Sequence, residues 1–80
     1  MNEELAEYVA TSAFKSLSDL GRLLAILKES LSDDEYEPYK KTLAYVCALI
    51  AEEILLEVFS SHPNIEQKIN SIIDKYGKLP

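Results

Sequence analysis

The sequence predicts an all-α fold: a small antiparallel helical bundle of two long helices plus a short C-terminal helix, completed by dimerisation. Three observations carry that reading. Apolar residues recur at spacings of three and four rather than two, which is helical periodicity. Two glycines and three prolines in 80 residues are too few for the turns of a β-sandwich or barrel. Residues 43–51 carry no charge over more than two helical turns, so the helix there is apolar all round and needs neighbours on every side.

The first helix is expected over residues 3–30. Asn2 suits the N-cap, and Glu3, Glu4 and Glu7 favour the positive end of the helix dipole. Ala6, Ala10, Ala13, Leu17, Leu20, Leu24, Leu27 and Leu31 make an unbroken seam. Its first half is small and its second half is leucine, so a neighbour approaches closest near the N-terminus. Val9, Phe14, Leu23 and Ile26 widen the stripe. Gly21 should cost about 1 kcal/mol relative to alanine. Either the helix bends near residues 16–21, or Ser18, Gly21 and Ala25 form a groove for close packing. The seam keeps its phase across the glycine, which favours a continuous helix.

Ser32 opens the second long helix. Ser32 and Glu35 form a capping box, and Leu31 with Tyr36 a hydrophobic staple. Asp33 and Asp34 suit the first turn. Pro38 lies beyond the free N–H groups, so it should kink the helix or split off residues 33–37. The body then runs to about residue 60, where His62-Pro63 ends it. The third helix is expected over residues 63–76, with proline at its first position. Ile65, Ile69, Ile72, Ile73 and Tyr76 form one apolar face. Gly77 suits a left-handed C-cap, and Lys75 and Lys78 suit the negative end.

The central segment sets the assembly expected. Beyond residues 43–51, Ile54, Leu55, Leu56, Val58 and Phe59 surround only Glu52, Glu53 and Glu57. A helix of just over a dozen residues covers about 20 Å of a central helix nearly twice that long. A second copy is the simplest cover, since small domains bury a modest share of their surface and gain from oligomerisation. The expected self-association residues are Leu43, Val46, Leu49, Ile50, Leu56 and Phe59. The alternative is that one monomer covers the segment, helped by its small alanines.

Composition narrows function. Eighty residues make a single domain spanning residues 1–80. Acids outnumber bases by 14 to 8, which argues against nucleic acid as a partner. No apolar run reaches the roughly 20 residues of a membrane span, so no membrane partner is expected. The acidic opening residues do not read as a signal peptide, and one cysteine cannot form an internal disulfide. A cytoplasmic protein is expected.

Signals for chemistry are thin, and no enzyme, cofactor or metal site is expected. Cys47 sits in the apolar run with no polarising base on its face, so inert packing is its favoured reading. His62 reads as a capping or loop histidine, and fifteen residues of helix would hold it about 22 Å from Cys47. Position 59 is phenylalanine, so the Glu-x-x-His pattern of di-iron bundles is absent. Glu53 with Glu57, and Glu3 with Glu7, share helix faces and read as solvated pairs. Asp33, Asp34, Glu35, Tyr36, Glu37 and Tyr39 form an acidic, tyrosine-bearing corner that could grip a basic protein. The favoured reading of that corner makes Tyr36 a staple and Tyr39 core.

Two function classes survive. One is a helical interaction module, a homodimeric adaptor or regulatory protein. The other is an acidic inhibitor, of immunity or anti-defence type, of a nucleic-acid-binding or nucleic-acid-cleaving protein. Salt separates them: an electrostatic complex weakens with salt, whereas apolar self-association does not.

Overall fold

The computed structural model describes residues 1–76, with side chains as far as residue 74. Helix α1 spans Glu3–Ser30 and α2 spans Asp33–Leu49. A π-helical turn over Ile50–Leu55 follows, then α3 over Leu56–Ser61 and α4 over Pro63–Tyr76. Among the described residues there is no strand. Because α2, the π turn and α3 join without a gap, residues 33–61 make one central rod. The expectations for Gly77, for Lys78 and for the side chains of Lys75 and Tyr76 lie outside the described residues.

Helix α1 begins as its sequence predicts. Asn2 accepts a hydrogen bond from the Leu5 amide at 2.8 Å, satisfying one of the free donors of the first turn. The helix runs unbroken through Gly21. A Cβ placed there would meet no atom within 4 Å, so the small-residue groove at Ser18, Gly21 and Ala25 has no neighbour in its own chain among the described residues. The joint at Leu31 and Ser32 is held by the predicted capping box. The Glu35 amide donates to Ser32 Oγ at 3.3 Å, and the Ser32 amide donates to Glu35 Oε1 at 3.3 Å. Leu31 and Tyr36 are both half-buried, as a staple requires. Pro38 does not split off residues 33–37, because α2 is one helix. Pro38 and Asp34, whose carbonyl loses its helical donor, are both exposed, so water can take the missing partner's place.

The π turn is the feature that periodicity alone missed. The Leu56 amide donates five residues back, to the Ala51 carbonyl, where an α-helix would bond four back. The side chains supply the reason. The rod's inward line passes through the half-buried Tyr36, Leu43, Val46 and Ile50. An uninterrupted α-helix would carry that line on to Glu57 and Ser61. One extra residue rotates the helix by about 100°, and the line resumes at Leu55, Val58 and His62, which are buried or half-buried. Glu53 and Glu57 stay in water, which avoids the cost of burying unpaired carboxylates.

The core sits at one end. Ala6, Ala10 and Ala13 of α1 meet Leu55 and Val58 of the rod and Ile65 and Ile69 of α4. Ile73 packs against that cluster from outside, while Ile72 is half-buried. The alanines let α4 approach closely, so Ile65 and Ile69 are the largest fully buried side chains. Phe14 and Phe59 stack beside the core with ring centroids 6.3 Å apart and planes tilted by 33°. Lys68 Nζ donates to Glu7 Oε2 at 2.9 Å. That hydrogen bond, with the carboxylate's charge, raises the Lys68 pKa above its ordinary 10.5. Among the described residues, the backbone of α4 comes close to that of α1 and α3 but not to that of α2.

The other end is therefore a two-helix arm. Helix α2 contains no buried residue. The molecule measures 44 × 26 × 15 Å, with a radius of gyration of 14.7 Å. A compact chain of this length would have about 12 Å.

Candidate functional site

The self-association residues expected from sequence do not share one face. Leu43, Val46, Ile50 and Phe59 are half-buried within the chain. Leu49 and Leu56 are exposed, at 40% and 59%. In a plain α-helix residues seven apart share a face. Here the π turn lies between them. Leu49 comes one residue before the inward-facing Ile50, and Leu56 one residue after the buried Leu55. The two leucines thus project on opposite flanks of the rod.

One flank gathers exposed apolar groups. Thr42, Tyr45, Leu49 and Ile54 each immediately precede an inward residue of the rod, and all four are exposed. Tyr45 is 66% exposed. Across from them on α1 lie two lines at seven-residue spacing. Val9, Ser16 and Leu23 make one, and Ser12 and Ile26 belong to the other. A groove of about 310 Å³ joins the helices, lined by Tyr8, Val9, Ser12, Ala13, Ser16, Ile50 and Ile54. Asp19 is the charged side chain along these lines, and it pairs with Arg22.

The opposite flank is partly used. Glu7 and Phe14, seven apart on α1, meet Lys68 and Phe59 there. A second concavity, of about 670 Å³, lies along the first turns of α1 and is lined by Asn2, Glu4, Leu5, Glu7, Tyr8 and Thr11.

At the acidic corner, Asp33, Asp34, Glu35 and Glu37 are exposed and Tyr36 is half-buried. Tyr39 is not core; it is 53% exposed. It belongs to the two-helix arm, where α4 does not reach and no third helix closes over it. Glu35 is already engaged by Ser32 through the capping box.

The groups considered for chemistry stay apart. Cys47 is half-buried rather than enclosed, because the arm gives it neighbours on one side only. His62 terminates α3, its amide donating to the Val58 carbonyl at 2.7 Å. Its Nδ1 is buried without a hydrogen-bond partner. The rod between them holds Cys47 and His62 on the order of 20 Å apart. Among the described residues, no three His, Cys, Asp or Glu side chains cluster as metal ligands would, and no helix is long and apolar enough to cross a membrane.

No known protein family, curated protein or solved structure matches the chain.

Proposed function

We propose that this chain is a small, acidic helical protein–protein interaction module, a homodimeric adaptor or regulatory protein without catalysis. Its two long elements pack antiparallel. The two-residue joint between α1 and α2 and the approach of Phe14 to Phe59 support that orientation. The observation that carries the reading is the arm. Helix α2 buries no residue while Tyr39, Tyr45 and Leu49 stand in solvent, and soluble monomers seldom leave contiguous apolar surface uncovered. The lone thiol suits a reducing compartment, so the cytoplasm is the proposed location. Light scattering of the purified chain from low to high micromolar concentration tests the reading. A mass near twice 9.0 kDa is the expected result, and a monomer throughout would refute it.

The exposure of Tyr39 favours a second reading, in which the acidic corner docks on a basic protein. That complex would weaken steeply with added salt.

A further inference from the structure

We infer that the extra residue of the π turn travels along the rod and gives the arm a second register, in which Ala44, Ala48 and Ala51 turn toward α1 in place of Leu43, Val46 and Ile50. The switch needs one chain only and does not depend on the homodimer reading.

The rod carries two inward lines and one spare residue between them. In the described register the line runs through Tyr36, Leu43, Val46 and Ile50, takes a step of five, and resumes at Leu55. Counted back from Leu55 in plain α register, a different line appears at Ala51, Ala48 and Ala44. Its spacing of four, three and four up to the leucine is also that of Ala6, Ala10, Ala13 and Leu17 on α1. There the three alanines are buried. On the rod Ala44 and Ala48 are exposed and Ala51 is half-buried, because the π turn rotates them away. Moving the step of five from Ile50–Leu55 to Tyr39–Ala44 brings the alanines inward. Tyr36 and the segment beyond Leu55 then keep their places.

Three features let the step move. Residues 43–51 carry no charge, so turning them by about 100° buries no unpaired carboxylate or ammonium. A helix with one fixed face needs only one apolar stripe; a helix that presents two faces in turn needs both. Helix α2 contains no buried residue, so no enclosed side chain locks the described register. The backbone ladder already lacks a rung at Pro38, and the shifted step comes to rest beside that break. It goes no further, because Lys41 and Glu37 continue the alanine line and would turn inward next.

The described register half-buries the larger side chains and is the major one. The second is held by a minority of about 1–10% of molecules and exchanges in microseconds to milliseconds, as helix register shifts do. It turns Leu43, Val46 and Ile50 toward solvent. A partner that covers those three side chains therefore draws the rod into the second register by population shift.

Amide relaxation dispersion reads exchange on that timescale. The unaltered chain should show dispersion over residues 40–56 and flat profiles from Val58 to Ser61. The Leu56 amide belongs to the exchanging set, because it trades the Ala51 carbonyl for that of Glu52. The exchange should be the same at lower protein concentration, since the step is unimolecular. Ala48→Lys sets a charge at a position exposed in the described register and inward in the second. Deleting Glu53 removes the spare residue. Each change should abolish the dispersion and leave the circular dichroism of the folded chain in place; should the deletion fail to fold, Ala48→Lys alone decides. An unaltered chain without dispersion in α2 overturns the inference. So does dispersion that survives in a folded variant, or that changes with protein concentration and so reports association.

Discussion

Deleting Glu53 should leave the protein folded, whereas inserting one alanine between Glu52 and Glu53 should unfold it. The π turn contains one residue more than an α-helix needs to pass from Ile50 to Leu55. Removing that residue lets Leu55, Val58 and His62 follow Ile50 in ordinary α register. The inward line is then unchanged, and stability should move by less than about 1 kcal/mol, within the range of surface changes that touch no core contact. The insertion does the opposite. It turns the following segment by a further 100° or so and swings Leu55 and Val58, which are 5% and 4% exposed, out of the core. Each is worth about 1.5–3 kcal/mol of burial, so at least about 3–6 kcal/mol is lost before α4 is displaced. A domain of this size has roughly 4–12 kcal/mol in all. Urea unfolding followed by far-ultraviolet circular dichroism measures both variants. If the deletion destabilises as much as the insertion, the π turn is not a spare residue absorbed by the helix, and the phase argument fails.

Other perturbations probe separate elements. Ile69→Ala removes a side chain that is 1% exposed and should cost roughly 2–5 kcal/mol; a loss below about 0.5 kcal/mol in urea melts would mean α4 is barely docked. Gly21→Ala fills open space in an unbroken helix and should stabilise by about 0.5–1 kcal/mol. Ser32→Ala breaks the capping box and should cost about 0.5–2 kcal/mol. The raised pKa of Lys68 fixes a sign for pH. A group whose pKa is higher when folded adds stability that is complete below its ordinary value and lost as pH rises through the folded value. The stability gap between the parent chain and Lys68→Met should therefore hold at neutral pH and close as pH rises above 10.5; a gap that widens in alkali would contradict the pairing with Glu7.

Local signals in the sequence were strong wherever one chain segment decides its own structure. Asn2 and the Ser32–Glu35 box mark helix starts by accepting from backbone donors that have no other partner, and Pro63 marks one by lacking a donor that would go unpaired there. The alanine-to-leucine seam of α1 kept one phase because nothing interrupts that helix. The rod was harder to read. The step of five from Ile50 to Leu55 was present as a slip in apolar phase, but the charge-free stretch beside it hid the slip among too many apolar positions. The slip also sets Leu49 and Leu56 on opposite flanks, since seven-residue spacing gives a shared face only in an uninterrupted helix. Tyr39 is exposed rather than core because whether a position is covered depends on how far α4 reaches, which no local pattern contains. Pro38 was expected to kink or split its helix, yet near an exposed first turn its missing donor does not split it.

The confinement of the core to one end implies an uneven local stability. Backbone amides near Ala10, Leu55 and Ile69 lie among buried neighbours and should exchange with solvent only when the whole domain unfolds. Amides around the joint at Leu31 and Ser32 sit where few apolar contacts resist opening, so the arm can separate while the core end stays closed. Such partial opening exposes the leucines of the α1 seam without global unfolding. A partner that closes over the arm would then add most of its stabilisation where the free chain has least, and protection from exchange would grow at the tip before it grew at the base.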